Sequence, residues 1–208
     1  MSRPPWNHNI HYHPRVLAAA PRPCRRALDV GCGRGLLTAE LAAVADGVVG
    51  IDPDADALSD AKASFGGEPR LSFVEADVMS WPFEPSSFDL VASIAVLHHL
   101  PLRPALRRCR ELLAPGGVLA VIGIPRRATA RELAMAALAW PVNQALRRLK
   151  GEAPVGAPVK DPAETLADVR AAAADVLPGA KLRLLLLFRY ELLWRKPAGP
   201  AAASGRPG

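Results

Sequence analysis

The chain has 208 residues, half of them apolar, which suits one domain with a sizeable core and some elaboration and excludes a disordered or fibrous protein. No run approaches the ~20 apolar residues of a membrane span, and the start carries no hydrophobic signal core, so the expected location is cytoplasmic. The net charge of +6 rests on residues such as Arg103, Arg107, Arg108, Arg147, Arg148 and Lys150, on helix faces without interleaved aromatics, which argues against nucleic acid.

Residues 1–23 read as an N-terminal arm with a short helical stretch from Arg15 to Ala20, in which Trp6 and Tyr12 can pack on the domain. His8, His11 and His13 fall within six residues, but no carboxylate or cysteine stands at ligand spacing, so no metal site is expected. Cys24, Cys32 and Cys109 are too scattered for a disulfide framework.

From Ala27 a short apolar run carrying Asp29 passes into a turn with Gly31, Gly33 and Gly35, then into Leu37, Leu41 and Val44 on one helical face. This is strand, tight turn, helix. Such glycines let a ligand lie directly on the backbone, and the N–H groups opening the helix face an anion. A dinucleotide fingerprint needs glycine at the first, third and sixth positions. Here the sixth is Leu36, and glycine falls at the fifth. Cys32 reads as a small side chain in the turn, since nothing beside it in sequence would activate a nucleophile.

Val48 to Ile51 is a second strand ending in Asp52 and Pro53, with Asp52 lying 21 positions beyond Gly31. A carboxylate at that distance suits the ribose hydroxyls of a nucleoside ligand. Asp54 can cap the next helix, with Leu58, Ala61 and Phe65 inward. The stretch from Leu71 to Val78 holds a third strand followed by an acid, Asp77, and Phe88 to Ala92 is a fourth strand. A helix from Arg103 to Leu113 is closed by a Pro115-Gly116-Gly117 turn, and Gly117 to Ile124 follows as the fifth strand.

Residues 126–160 form an insert with an apolar patch from Leu133 to Trp140, which can cover a pocket, form a dimer surface or attach to a membrane or lipid substrate. Asp161, Pro162 and Glu164 predict a helix start, with Leu166, Val169, Ala173 and Val176 buried. Lys181 to Leu187 and Tyr190 to Arg195 read as a closing pair of strands, and residues 197–208 as a disordered tail.

With Asp29 two residues ahead of Gly31, the pattern acid-x-Gly-x-Gly-x-Gly resembles motif I of the class I S-adenosylmethionine-dependent methyltransferases. Trp81 to Leu100, with its "PF" loop, "FDLV" and "LHHL", is similar to a stretch of methyltransferases acting on small molecules and quinone precursors, and "LLAPGGVLAV" to the lead into their fifth strand. The resemblance covers residues 27 to about 196. It implies a Rossmann-like α/β domain over 24–196: a seven-stranded mixed sheet, the last strand antiparallel, with helices on both faces.

The resemblance also implies a cofactor set for S-adenosyl-L-methionine. Asp29, Gly31, Cys32, Gly33 and Gly35 would hold the methionine end. Asp52 with Pro53 would hold the ribose, Asp77 and Val78 the adenine, and Ser93 would line the pocket. The arm's His11, Tyr12 and Arg15, and Trp140 from the insert, would border a small-molecule acceptor. His98 and His99 are candidates for a general base or for a packing pair. The expected reaction is in-line methyl transfer to oxygen, nitrogen or carbon, with no metal. A non-catalytic nucleoside-binding module and a nicotinamide-dependent oxidoreductase are the alternatives. The acceptor and the oligomeric state stay open.

Overall fold

The computed structural model describes residues 6–126, 128–129, 140–141, 144–149 and 161–198. Most of the proposed insert, and the tail beyond residue 198, lie outside these residues. Seven strands form one sheet: β1 (Arg26–Val30), β2 (Gly47–Asp52), β3 (Leu71–Glu75), β4 (Phe88–Ile94), β5 (Leu113–Gly123), β6 (Lys181–Leu185) and β7 (Arg189–Arg195). Their order is β3-β2-β1-β4-β5-β7-β6. The first five run parallel, and the last strand in sequence, β7, is antiparallel to both β5 and β6.

The central strands are buried on both faces, as a parallel sheet requires, so β1 and β4 read as apolar runs rather than alternations. On one face α1 (His13–Ala19) and α2 (Leu36–Leu41) pack with Trp6, Tyr12 and Val16 onto Leu90, Ala92, Ala120 and Ile122. On the other, α4 (Leu102–Leu112) and α5 (Leu166–Val176) cover Val91, Leu119, Val121, Leu192 and Trp194. Helix α3 (Ala55–Phe65) lies against β2 and β3. Its N-cap is Asp54, whose Oδ1 accepts the Asp56 and Ala57 amides.

The arm is a built part of this core. His13 is buried and holds Glu40 of α2 at 3.0 Å, Arg15 reaches Glu191 of β7 at 3.2 Å, and the Tyr12 hydroxyl donates to the Leu186 carbonyl. Its helix starts two residues earlier than the apolar spacing predicts, because Pro14 suits the first turn.

Two sequence expectations are corrected. Pro115, Gly116 and Gly117 do not make a turn before the fifth strand: β5 already begins at Leu113, which pairs with Phe88, and the glycine pair sits at a bulge before Val118 pairs with Leu90. A bulge uses the same flexible residues as a turn, so local sequence does not separate them. The helix expected at Asp161 begins at Leu166. Thr165 is its cap, exchanging hydrogen bonds with Asp168 in a capping box, while Thr165 also bridges Arg126. Residues 161–164 form no helix despite their own good capping pattern, and the Arg126 amide donates to the Glu164 carbonyl at 2.7 Å.

Candidate active site

Strands β1, β2 and β4 end at the same carboxyl edge, and the loop after β1 is fastened there. The Gly31 and Cys32 amides both donate to the Ile51 carbonyl, at 2.8 and 3.2 Å. The Gly33 amide donates to Asp52 Oδ2 at 2.8 Å, while Asp52 Oδ1 accepts from the Asp54 amide at 2.9 Å. Asp52 therefore faces the glycine loop. Each of its oxygens has a lone pair to spare, enough for a vicinal diol.

The glycines differ in what they leave room for. A Cβ on Gly31, which has φ +70°, would lie 2.2 Å from Val96 Cγ2, so the loop and the end of β4 interlock there. A Cβ on Gly33, φ +50°, would meet nothing within 4 Å, and that face of the loop is open to a ligand.

Beneath the loop lies a buried polar pair. Asp29 is 1% exposed, and its Oδ2 accepts the Thr38 hydroxyl at 2.7 Å. Burial pushes the Asp29 carboxyl up to about 7, and the Asp52 charge adds to the rise. Cys32 is buried beside them; burial first, then the charges of Asp29 and Asp52, push its thiol far above the ordinary range, so it carries no thiolate. Sequence spacing gives no sign of Thr38, which meets Asp29 only because α2 folds back over β1.

Asp77 follows β3 at the same edge. It is exposed, its Oδ1 accepts the Met79 amide at 2.9 Å, and its carbonyl accepts the Trp81 amide. Val78 is buried, with its carbonyl held by Arg108 at 3.1 Å. Pro53 follows Asp52 directly. Ser93, near the end of β4, pairs across to Val30 and Val121. Its hydroxyl is buried without a partner among the described residues. An orphaned hydroxyl near the carboxyl end of a central strand is costly and fits a site meant for a ligand.

Beyond Ser93, Ala95 adopts φ +58°, a conformation costing ~1–2 kcal/mol for a residue with a side chain. Its amide donates to the Ile122 carbonyl at 2.7 Å, which fixes the turn into the single-turn helix Leu97–His99. Here His98 is partly buried and His99 exposed, with ring centroids 4.0 Å apart. Of the residues expected at the acceptor side, Tyr12 and Arg15 are engaged with Leu186 and Glu191. His11 is exposed with its ring against Tyr12, and Trp140 is 61% exposed. The structure thus gathers the loop, Asp52, Asp77 and Ser93 along one edge; Asp29 lies behind it.

This arrangement suits a nucleoside carrying a cationic tail, with carboxylates at two strand tips and an open loop face between them. The methyltransferase domain family matches residues 28–121. A Mycobacterium bovis protein described as an uncharacterized methyltransferase is 38% identical over 195 residues, 93% of this chain and 98% of that one. The trans-aconitate 2-methyltransferase of Methylobacterium radiotolerans is 39% identical over 152 residues, 72% of this chain and 52% of that one. Among solved structures, the N-methyltransferase NodS of Bradyrhizobium japonicum, in complex with S-adenosyl-L-homocysteine, has a TM-score of 0.60 at 20% identity, covering 90% of this chain and 87% of that one.

Proposed function

This chain belongs to the class I S-adenosylmethionine-dependent methyltransferases, and from that premise we propose that it methylates a small molecule held at the carboxyl edge of β4 and β5. The observation carrying this reading is the Asp52 carboxylate turned onto the open face of the Gly33 loop. When bound, the cofactor would supply a methyl on a sulfonium as the electrophile for an acceptor lone pair, with a neutral thioether as the leaving group.

The chain's own residues have the simpler tasks of holding and shielding. Asp52 takes the ribose hydroxyls and Asp77 the adenine amine, with Val78 beside the ring. Gly31, Cys32, Gly33 and Gly35 give backbone to the methionine end, and Pro53 sets the turn after Asp52. Asp29, from beneath the loop, favours the ammonium side of the methionine end when its carboxyl is ionised. Ser93 offers its hydroxyl at the point where β4 meets the transferring group. His98 or His99 takes the acceptor's proton where the acceptor must lose one. His11, Tyr12, Arg15 and Trp140 border the acceptor, and orientation with exclusion of water supplies most of the rate.

No helix among the described residues is long and apolar enough to cross a membrane. We place the enzyme in the cytoplasm with a diffusible acceptor. The test is to incubate the protein with labelled S-adenosylmethionine and a deproteinised metabolite extract, and to search for products heavier by one methyl group. Cofactor binding without any methylated product would instead support a nucleoside-binding regulator. A thermal shift with NADH and none with S-adenosylmethionine would support an oxidoreductase.

A further inference from the structure

Arg189 opens β7 at the carboxyl edge, one position beyond the Gly123–Tyr190 pair that ends the β5–β7 ladder. It is 9% exposed, yet no described carboxylate lies within ion-pair range of it. Its guanidinium donates to Asn9 Oδ1 at 3.0 Å and, at 3.4 and 3.5 Å, to the carbonyls of Phe188 and Leu187; Nε is buried without a partner among the described residues. Glu191 stands two residues along on the same face and would be its natural counter-ion. That carboxylate is instead held by Arg15 at 3.2 Å.

A guanidinium this deeply buried ordinarily finds a carboxylate, because two or three neutral acceptors do not replace its hydration. Burial pushes Arg189 down to about 10, which still leaves it a cation at neutral pH. Its place matters as much as its charge. At ~4.8 Å per strand, the start of β7 lies about 10 Å from the end of β4 across β5. That is the span of a small metabolite reaching from the methyl-transfer point toward the arm.

We propose that Arg189, steadied by Asn9, binds an anionic group of the methyl acceptor, so that the substrate class is carboxylated or phosphorylated small molecules. This rests on the methyltransferase reading above and deepens it. Arg189 is a specificity-determining residue here. It holds the end of the acceptor remote from the reacting atom.

The test uses the full chain, labelled S-adenosylmethionine, and deproteinised metabolite extract split on an anion exchanger into retained and unretained fractions. Methyl acceptance should appear in the retained fraction. Loss of acceptance after alkaline phosphatase treatment identifies a phosphate; persistence identifies a carboxylate. Arg189→Gln should lower kcat/KM on the retained fraction by ~10-fold to ~100-fold, with Arg189→Lys between it and the wild type. Affinity for S-adenosylhomocysteine, measured by calorimetry, should stay unchanged in both.

A second variant guards against a folding defect. Asn9→Asp places a carboxylate where Arg189 already bonds, and should suppress methyl acceptance just as strongly while leaving thermal stability intact or raised. Acceptance confined to the unretained fraction, or undiminished in Arg189→Gln and Asn9→Asp, would overturn the proposal. No acceptance in any fraction, with cofactor bound, would instead remove the methyltransferase reading on which it rests.

Discussion

Asp52 accepts the Gly33 amide at 2.8 Å, so the carboxylate at the tip of β2 holds the loop that leaves β1. The same group thereby shapes the glycine loop and faces the ligand it would bind. Asp52→Ala should weaken S-adenosylhomocysteine binding at least ~10-fold, since two charge-assisted hydrogen bonds are lost at ~1.5–3 kcal/mol each. Calorimetry showing wild-type affinity would remove Asp52 from the site.

Gly31 and Val96 make a steric prediction. A methyl at Gly31 would meet Val96 Cγ2 at 2.2 Å on a backbone of φ +70°. Gly31→Ala should cost ~2–5 kcal/mol, from the left-handed conformation and the overpacking together. Adding Val96→Ala should return the overpacking share but not the conformational one. Thermal unfolding of the single and double variants separates the two, and equal stability of Gly31→Ala and the wild type would refute the packing.

Asp29 gives the protein a pH dependence. In the unfolded chain it loses its proton near pH 4, whereas burial in the folded chain delays this to about 7. Between those values the folded state holds a proton that the unfolded state has released, so this group's contribution to stability falls as pH rises, and levels off above 7. Asp29→Asn should therefore gain on the wild type by roughly 2–3 kcal/mol between pH 5 and pH 8 in urea unfolding. A cationic ligand favours the ionised carboxyl, so wild-type cofactor affinity should rise through pH 7 and that of the variant stay flat. A constant stability difference across that range would sink this account.

The individual strands and helices are legible in the sequence because each strand–turn–helix unit carries its own local signals: apolar runs, glycines at a turn and an acid at a strand tip. The seven-stranded mixed sheet comes from the family resemblance, and the strand order is visible only in the structure. What local signals do not encode is contact between distant segments. Thr38 meets Asp29, Val96 fills the space left by Gly31, and Thr165 rather than Asp161 caps α5 because it bridges Arg126. Arg189 likewise falls, in sequence, in the short connection between the two closing strands, and only the structure makes it the first residue of β7. Only its burial away from any described carboxylate singles it out.

His98 and His99 lie with ring centroids 4.0 Å apart just beyond the end of β4. A base at this position predicts that turnover falls on the acid side, and that His98→Ala or His99→Ala removes the falling limb with a ~100-fold or greater loss of rate. Wild-type rates with flat profiles over pH 5–8 in both variants would leave the pair a packing role.

The arm is tied to the sheet by Arg15 and Glu191, a half-exposed guanidinium on a carboxylate that is only 4% exposed. The pair's worth lies less in attraction than in what its loss would strand. Arg15→Leu leaves a buried carboxylate unpaired and should destabilise the fold by ~1–3 kcal/mol, a figure kept low by the guanidinium's own exposure. Replacing both residues, Arg15→Leu with Glu191→Leu, removes the stranded charge and should recover most of that loss. Unchanged stability in the single variant, or no recovery in the double, would show that this ion pair does not help to hold the arm.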